Sequence, residues 1–159
     1  MCNVPNQPQA NVSVQVVDTA EQRALCLAVR YEVFVDEQQV PLEEELDSYD
    51  DTAVHFLAMT VDGTEPVGTA RLIILDEHKA KVGRVAVRTT FRRQRIGKAI
   101  MDEVESVAES RGVSVLVLDA QLHAIPFYEA LGYRAFGPVF LDAGIEHRKM
   151  EKLLKTTGS

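Results

Sequence analysis

Between Lys81 and Arg111 the hydrophobic pattern changes period once, and no other stretch constrains the fold as tightly. Val82, Val85 and Val87 give the β-branched texture of a buried strand, which stops at Thr89 and Thr90. From Ile96 the apolar residues recur as Ile96, Ile100, Val104, Val107 and Ala108, one face of a helix, with Asp102, Glu103, Glu105 and Glu109 turned away from it. The joint is Arg92, Arg93, Gln94, Arg95, Ile96, Gly97, Lys98 and Ala99, which brings cationic side chains and free backbone N–H groups to a helix N-terminus. Strand, basic turn and helix in that order make a site for an anion.

Charge sharpens this expectation. The chain has a formal charge of -7, yet Arg84 to Met101 holds six Lys or Arg residues and no Asp or Glu. A positive patch on an acidic protein points to a bound polyanion. The plain alternative is a solvated basic turn, which the strand–turn–helix setting disfavours.

The stretch RVAVRTTFRRQRIGKAIM, followed by LDAQLHAIPFYEALGY, resembles the acetyl-CoA-binding core of the GNAT (Gcn5-related N-acetyltransferase) family. The family's phosphate loop runs Gln/Arg-x-x-Gly-x-Gly/Ala. The distance from the strand places Arg92 at its first position and Gly97 at its last, with Arg95 where the middle Gly is expected. A shifted register through Gln94, Gly97 and Ala99 matches the pattern literally but moves the turn two residues from the strand. The second phrase is similar to the family's short helix after the fifth strand, closed by Gly132. The wording EVFVDEQQVP, HFLA, PVGTARL and AGIEHRKM resembles the small bacterial-type branch called ElaA or YjcF-like, and the resemblance extends from Val12 to Leu154.

At 159 residues with 46% hydrophobic content, the chain is the size of one domain, expected over residues 12–154 between a flexible arm at Met1–Asn11 and a tail at 155–159. Cys2 and Cys26 give no disulfide framework, and the arm lacks the basic start and apolar centre of a signal peptide, so a soluble, cytoplasmic protein is expected. Val12–Val17 reads as a first strand. A helix capped by Asp18 or Thr19 follows, running through Ala24, Leu25, Leu27, Ala28 and Tyr31 and blurring into Val33–Val35. Pro41–Thr52 reads as an acidic loop or short helix. Val54–Val61 and Val67–Leu75, about the turn at Asp62-Gly63, read as an antiparallel hairpin. Val113–Leu118, Arg134–Phe140 and Glu146–Met150 would complete the sheet. The resemblance therefore implies an α/β GNAT fold: a mixed, mostly antiparallel sheet flanked by helices and splayed between strands 4 and 5, here between Arg84–Val87 and Val115–Asp119.

The same resemblance implies a chemistry. Val85, Ala86 and Val87 would hold the pantetheine arm much as an added strand would, with the Val87 N–H near the thioester carbonyl, and Phe127 beside the cofactor. Tyr128 would be the acid that protonates the leaving thiolate; without the resemblance it reads as an aromatic at the core edge. For a base the residues leave several candidates: His123 before the short helix, His55 at a strand start, Glu37, Glu44, Glu45 or Asp47, or none if the bound amine has a low pKa. DEQQVPLEEELDSYDD, from Asp36 to Asp51, carries eight carboxylates, and no Lys or Arg occurs between Arg30 and Arg71. By analogy with the family this stretch would lie over the acceptor mouth and attract a cationic amine, with Arg30, Glu37, Gln38 and Glu45 as substrate contacts. The plain alternatives are a solvated loop and an Arg30–Glu37 pair that braces a helix end.

The implied function is acetyl transfer from acetyl-CoA, as co-substrate, to a primary amine of a small acceptor by direct attack in a ternary complex. No metal is expected, no nucleic-acid or membrane partner, and a homodimer is possible through a sheet edge near the C-terminus. Two other classes compete. One is an acyl-CoA-binding sensor that has lost turnover; the other is nucleic-acid binding through the basic turn, which the acidic remainder would oppose.

Overall fold

The computed structural model describes residues 11–155. The arm expected at Met1–Asn11 and the tail expected at 155–159 lie outside them, save for Asn11 and Lys155. Strand β1 (Val12–Val16) leads into helix α1 (Ala20–Arg30). Thr19 is the cap: its Oγ1 accepts from Gln22 N at 3.1 Å, while Gln22 Oε1 accepts from Thr19 N at 3.1 Å. The blurred helix end has a physical form, because Tyr31–Glu37 continues α1 as a wider π-helix in which Gln38 N reaches back to Val33 O at 3.1 Å. Helix α2 (Leu42–Glu45) and a single 3₁₀ turn (Ser48–Asp51) fill the acidic stretch. Strands β2 (Val54–Thr60), β3 (Pro66–Ile74) and β4 (Lys79–Val87) follow, then α3 (Ile96–Ser110), β5 (Val115–Gln121), α4 (Ile125–Ala130), β6 (Arg134–Asp142) and β7 (Ile145–Leu153).

The seven strands form one sheet in the order β1-β2-β3-β4-β5-β7-β6. All neighbours are antiparallel except β4 and β5, which run parallel because α3 carries the chain across between them. The main core contains Phe56, Leu72, Val82, Leu116 and Met150 of the sheet and Ile96, Ile100, Met101, Val104 and Ala108 of α3. A second, smaller cluster joins Val29 and Val33 to Ala86 of β4. Among the described residues no helix is long and apolar enough to cross a membrane.

Strand β4 changes face partway along. Ala80 and Val82 belong to the main core, and so do Val85 and Val87, while Ala86 belongs to the second cluster. An extra residue in β4 explains the switch: pairing with β3 jumps between Thr69 and Arg71, so that Arg84 and Val85 both stand opposite Ala70. Arg84 takes φ 52° at this bulge, a left-handed conformation that costs a side chain about 1 kcal/mol or more.

What holds Arg84 there is a buried ion network. Its Nε lies 2.9 Å from Glu45 Oε2, and its Nη2 donates to the Glu45 carbonyl at 2.9 Å. Arg30, only 1% exposed, gives Nε to Glu45 Oε1 and Nη1 to Asp50 Oδ1, both at 2.7 Å. Arg71 grips Asp47 with both Nη atoms, at 2.7 and 2.8 Å, and also reaches Asp50 Oδ1 at 2.8 Å. His55 Nε2 donates to the Asp50 carbonyl at 2.8 Å and so serves as scaffold. The acidic stretch is therefore matched by Arg30 and Arg71, the two arginines that bound its base-free span, and by Arg84. Burial alone would raise the Asp50 pKa, but hydrogen bonds and charge from Arg30 and then Arg71 hold it far below the usual carboxylate range. Hydrogen bonds from Arg71 likewise lower Asp47, whereas burial pushes Glu45 up against its arginines.

Depressed carboxylates stabilise the fold above their unfolded pKa of about 4 and cease to do so as the pH falls toward the folded value. Urea unfolding followed against pH is expected to show stability falling below about pH 4, with Glu45 opposing part of the trend. Asp50→Asn is expected to cost about 3 kcal/mol at pH 7 and to flatten that acid decline, because it leaves buried guanidinium groups short of a carboxylate.

Candidate active site

Parallel pairing of β4 with β5 runs only from Lys79↔Val115 to Val82↔Leu118. Past that point the bulge bends β4 away and a gap opens between Gly83–Val87 on one side and Asp119–Gln121 on the other. The β5 side of the opening thus begins at Asp119, not at Val115 as the sequence suggested: Val115–Leu118 are still hydrogen-bonded to β4 because the bulge lies beyond them. Arg88 N donates across to Val67 O at 2.9 Å. Since N–H directions alternate along a strand, the Val87 N–H and C=O point away from β3 and into the gap. The carbonyl is taken by Arg92 Nε at 2.8 Å, and the N–H faces the opening. The gap widens into a cleft of about 1340 Å³, whose walls include Val85, Ala86, Val87, Gln38, His123 and Tyr128.

The basic joint reaches α3 through two left-handed residues, Arg93 with φ 66° and Arg95 with φ 63°. Arg95 stands where the phosphate-loop pattern has a glycine and adopts a glycine-like conformation, so its side chain leaves the turn's path unchanged. The N–H groups of Ile96, Gly97 and Lys98 precede the first bond of the helix ladder, Ala99 N to Arg95 O at 3.1 Å. Arg93, Gln94 and Arg95 are exposed, Ile96 sends its side chain into the core, and Lys98 Nζ pairs with Asp102 at 2.9 Å. Gly97 packs closely, since a Cβ there would meet Phe127 Cζ at 3.1 Å and the ring would have to give. The N-terminus of α3 is thereby joined to α4.

The structure redistributes the expected acceptor contacts. Glu37 does not pair with Arg30; it sits at the end of the π-helix and accepts from both Nη atoms of Arg92 at 2.7 Å, which ties that wall to the basic joint. Arg92 spends its guanidinium on Glu37 and the Val87 carbonyl. Hydrogen bonding and charge from Arg92 lower the Glu37 carboxyl below its ordinary range. Arg30 is sealed in the ion network and does not line the cleft, a correction that follows from its burial between Asp50 and Glu45. Glu45 does line the cleft, but its side chain is 3% exposed and committed to Arg30 and Arg84.

Tyr128 lies on α4, buried to 8% exposure, with its ring edge-on to Phe127 at 4.9 Å and to Tyr133 at 5.8 Å. Burial pushes its pKa well up, so the hydroxyl keeps its proton throughout the neutral range. In the turn before α4, His123 Nε2 is 2.7 Å from Gln121 Oε1, and Gln121 Nε2 donates to Gln38 Oε1 at 2.8 Å. This chain of side chains bridges the end of β5 to the turn after the π-helix. Cys26 is a buried thiol whose Sγ contacts Phe56 O at 3.5 Å, and burial raises its pKa, which leaves it no nucleophile's setting. Sequence reasoning missed Gln121 and His147, both on the cleft wall. Each lies inside a phrase that carried the family resemblance, but only the β5–β7 register sets them opposite one another.

A sheet opened between two parallel strands, with an anion-ready helix N-terminus at the opening, defines an acyltransferase of the acetyltransferase type. A family model described as an acetyltransferase (GNAT) domain matches residues 12–154. The chain belongs to the GNAT family, in its ElaA/YjcF-like branch. It is 39% identical over 138 residues to YjcF of Bacillus subtilis, an uncharacterized N-acetyltransferase, covering 86% of this chain and 96% of that one. Among solved structures, a putative N-acetyltransferase from Lactobacillus plantarum superposes with a TM-score of 0.84 at 27% identity, covering 91% of this chain and 99% of that one. Escherichia coli ElaA superposes with a TM-score of 0.77 at 26% identity, covering 89% of this chain and 99% of that one.

Gly97→Ala tests the contact between the two helices at the site. The added methyl must displace the Phe127 ring by a few tenths of an ångström, so a loss of about 1 kcal/mol is expected, read as a fall in Tm of about 2–4 °C. Gly83→Ala, where a Cβ meets nothing within 4 Å, is the control and is expected to leave Tm nearly unchanged.

Proposed function

We propose that this protein transfers the acetyl group of acetyl-CoA to the primary amine of a small acceptor, by direct attack in a ternary complex. What carries the reading is an inward-facing Val87 N–H in the same cleft as Tyr128, whose hydroxyl burial keeps protonated. Val87 N–H is placed to donate to the thioester oxygen as charge develops on it; donors of this kind are each worth about 3 kcal/mol in acyl transfer. Tyr128 gives its proton to the departing sulfur. Val85, Ala86 and Val87 offer strand edges to the pantetheine arm. The N–H groups of Ile96, Gly97 and Lys98, with Arg93, Gln94, Arg95 and Ala99 around them, receive the pyrophosphate. The guanidinium of Arg92 holds the loop to Glu37 rather than facing the phosphates.

On the acceptor side Gln38 and Gln121 present amide groups, and Glu43 and Glu44 of α2 stay exposed after Glu45, Asp47 and Asp50 have been matched to arginines. Exposed acids at that mouth favour a cationic amine. His123, the sequence's candidate base, has Nε2 engaged with Gln121 and only Nδ1 left to accept a proton.

The test is a screen for CoA release over polyamines, amino sugars, amino acids and peptides, with acetyl-CoA binding followed by thermal shift. Acetyl-CoA at 100 times its Kd is expected to add about 2.7 kcal/mol of stability. Tyr128→Phe is expected to keep that shift and to lower kcat by about 10²- to 10⁴-fold. Because the acid must be protonated, wild-type activity is expected to hold through neutral pH and to decline only above about pH 10, the ordinary range of a phenol. Binding without turnover of any amine would favour the sensor, and unchanged turnover in the Phe variant would pass the proton transfer to water.

A further inference from the structure

His147 of β7 lines the cleft and is 8% exposed. Its Nδ1 stands 2.7 Å from the carbonyl oxygen of Ile145. A carbonyl can only accept, so Nδ1 carries the proton, and in the neutral ring the lone pair is on Nε2. The ring is held in place by Phe140, stacked on it at 5.8 Å with an interplanar angle of 25°. Across the β5–β7 ladder its partner is Gln121, the last residue of the gap's β5 wall.

His123 is arranged the other way. Gln121 Nε2 donates to Gln38 Oε1, while Gln121 Oε1 accepts from Gln38 Nε2 at 3.4 Å and lies 2.7 Å from His123 Nε2, so that the histidine nitrogen is the donor. Of the two cleft histidines, only His147 combines burial, a tautomer set by the backbone and an uncommitted Nε2.

We propose that His147 Nε2 accepts the proton released by the attacking amine, an assignment that rests on the acetyl-transfer reading above. The amine nitrogen forms the new C–N bond and loses one proton to Nε2. The C–S bond breaks, and the sulfur takes the Tyr128 hydroxyl proton. The proton on His147 then passes through solvent to the Tyr128 oxygen, and both groups return to their starting states. The charged groups that share the cleft walls with His147 are Asp119 on β5, Asp142 on β6, Lys149 on β7, Arg71 on β3, Lys79, Lys81 and Arg84 on β4, Arg92 of the basic joint, and Glu37, Glu44, Glu45 and Asp47; His123, Tyr49 and Tyr128 are the other titratable groups there. Asp119 lies 2.9 Å from Lys81 and 4.0 Å from Lys149, so its charge is largely matched.

The test compares His147→Asn with His123→Asn. An Asn amide can still donate to the Ile145 carbonyl as Nδ1 does, but it places nothing at Nε2. Spermidine, glucosamine and glycinamide serve as acceptors, and kcat/KM is followed from pH 5 to 9. A base must be unprotonated, so wild-type kcat/KM is expected to rise with pH along an acidic limb. His147→Asn is expected to lose that limb and about 10²- to 10⁴-fold in kcat/KM, with its acetyl-CoA thermal shift intact, while His123→Asn keeps the limb. Retention of the limb in His147→Asn, or its loss in His123→Asn instead, overturns the assignment. Independently, nitrogen-15 NMR of the wild-type side chains is expected to find neutral His147 protonated at Nδ1, and an Nε2–H tautomer overturns it. If none of the three amines turns over while acetyl-CoA binds, the failure belongs to the acetyl-transfer reading, and the tautomer alone decides for His147.

Discussion

The candidate site of this molecule depends on hydrogen bonds that β4 and β5 do not make. Their parallel ladder ends at Val82 and Leu118, and beyond it each strand has a row of backbone groups facing a gap. Such groups are costly to bury unpaired, so an opening of this kind either binds an extended ligand or would be closed by the fold. The bulge at Arg84 and Val85 keeps it open. By adding one residue it turns β4 outward, moves Ala86 from one face of the sheet to the other, and aims the Val87 N–H into the opening.

The bulge in turn leans on the ion network. A left-handed Arg84 is a strained choice, yet its side chain is anchored on Glu45 and Asp47, which Arg30 and Arg71 hold from behind. Helix α1, strand β3 and the bulge are thus pinned through one short acidic segment. Replacing such a network by apolar residues need not cost stability, but removing a single member leaves a buried charge uncompensated. The same pairing determines which acids remain available to a ligand. Glu45, Asp47 and Asp50 are spent internally, and Glu37 is spent on Arg92, which leaves the exposed acids of α2 to set the charge at the mouth.

Around the gap the polar side chains of the cleft wall come from separate elements: Tyr128 from α4, Gln121 from the end of β5, His123 from the turn after it, and His147 from β7. Their protonation states follow from local surroundings. Burial keeps the Tyr128 hydroxyl protonated, and one backbone carbonyl leaves His147 with its lone pair at Nε2. A protonated hydroxyl and an imidazole lone pair lining one cleft are the two kinds of group the proposed reaction asks for, since a proton leaves the amine and another arrives at sulfur.

The change from strand period to helix period between Val82 and Ile96, the cap at Thr19 and the hairpin about Asp62-Gly63 were all legible, because periodicity and capping are local properties of the chain. So was the family, through the phrase from Ala124 to Tyr133. Even the bulge left a trace: Val82, Val85 and Val87 share a core, although their spacing breaks a period of two. Which partner each charge would choose was not legible. Arg30 lies near Glu37 in sequence but pairs with Glu45 and Asp50, and Arg92 turns from the phosphate loop to Glu37, because such choices depend on distances across the fold and on burial. Residue types and their local periods determined the elements and their order. Only the tertiary packing decided at which residue of β5 the opening begins and that His147 stands beside Gln121 on the cleft wall, since both depend on strand register, which no single segment carries.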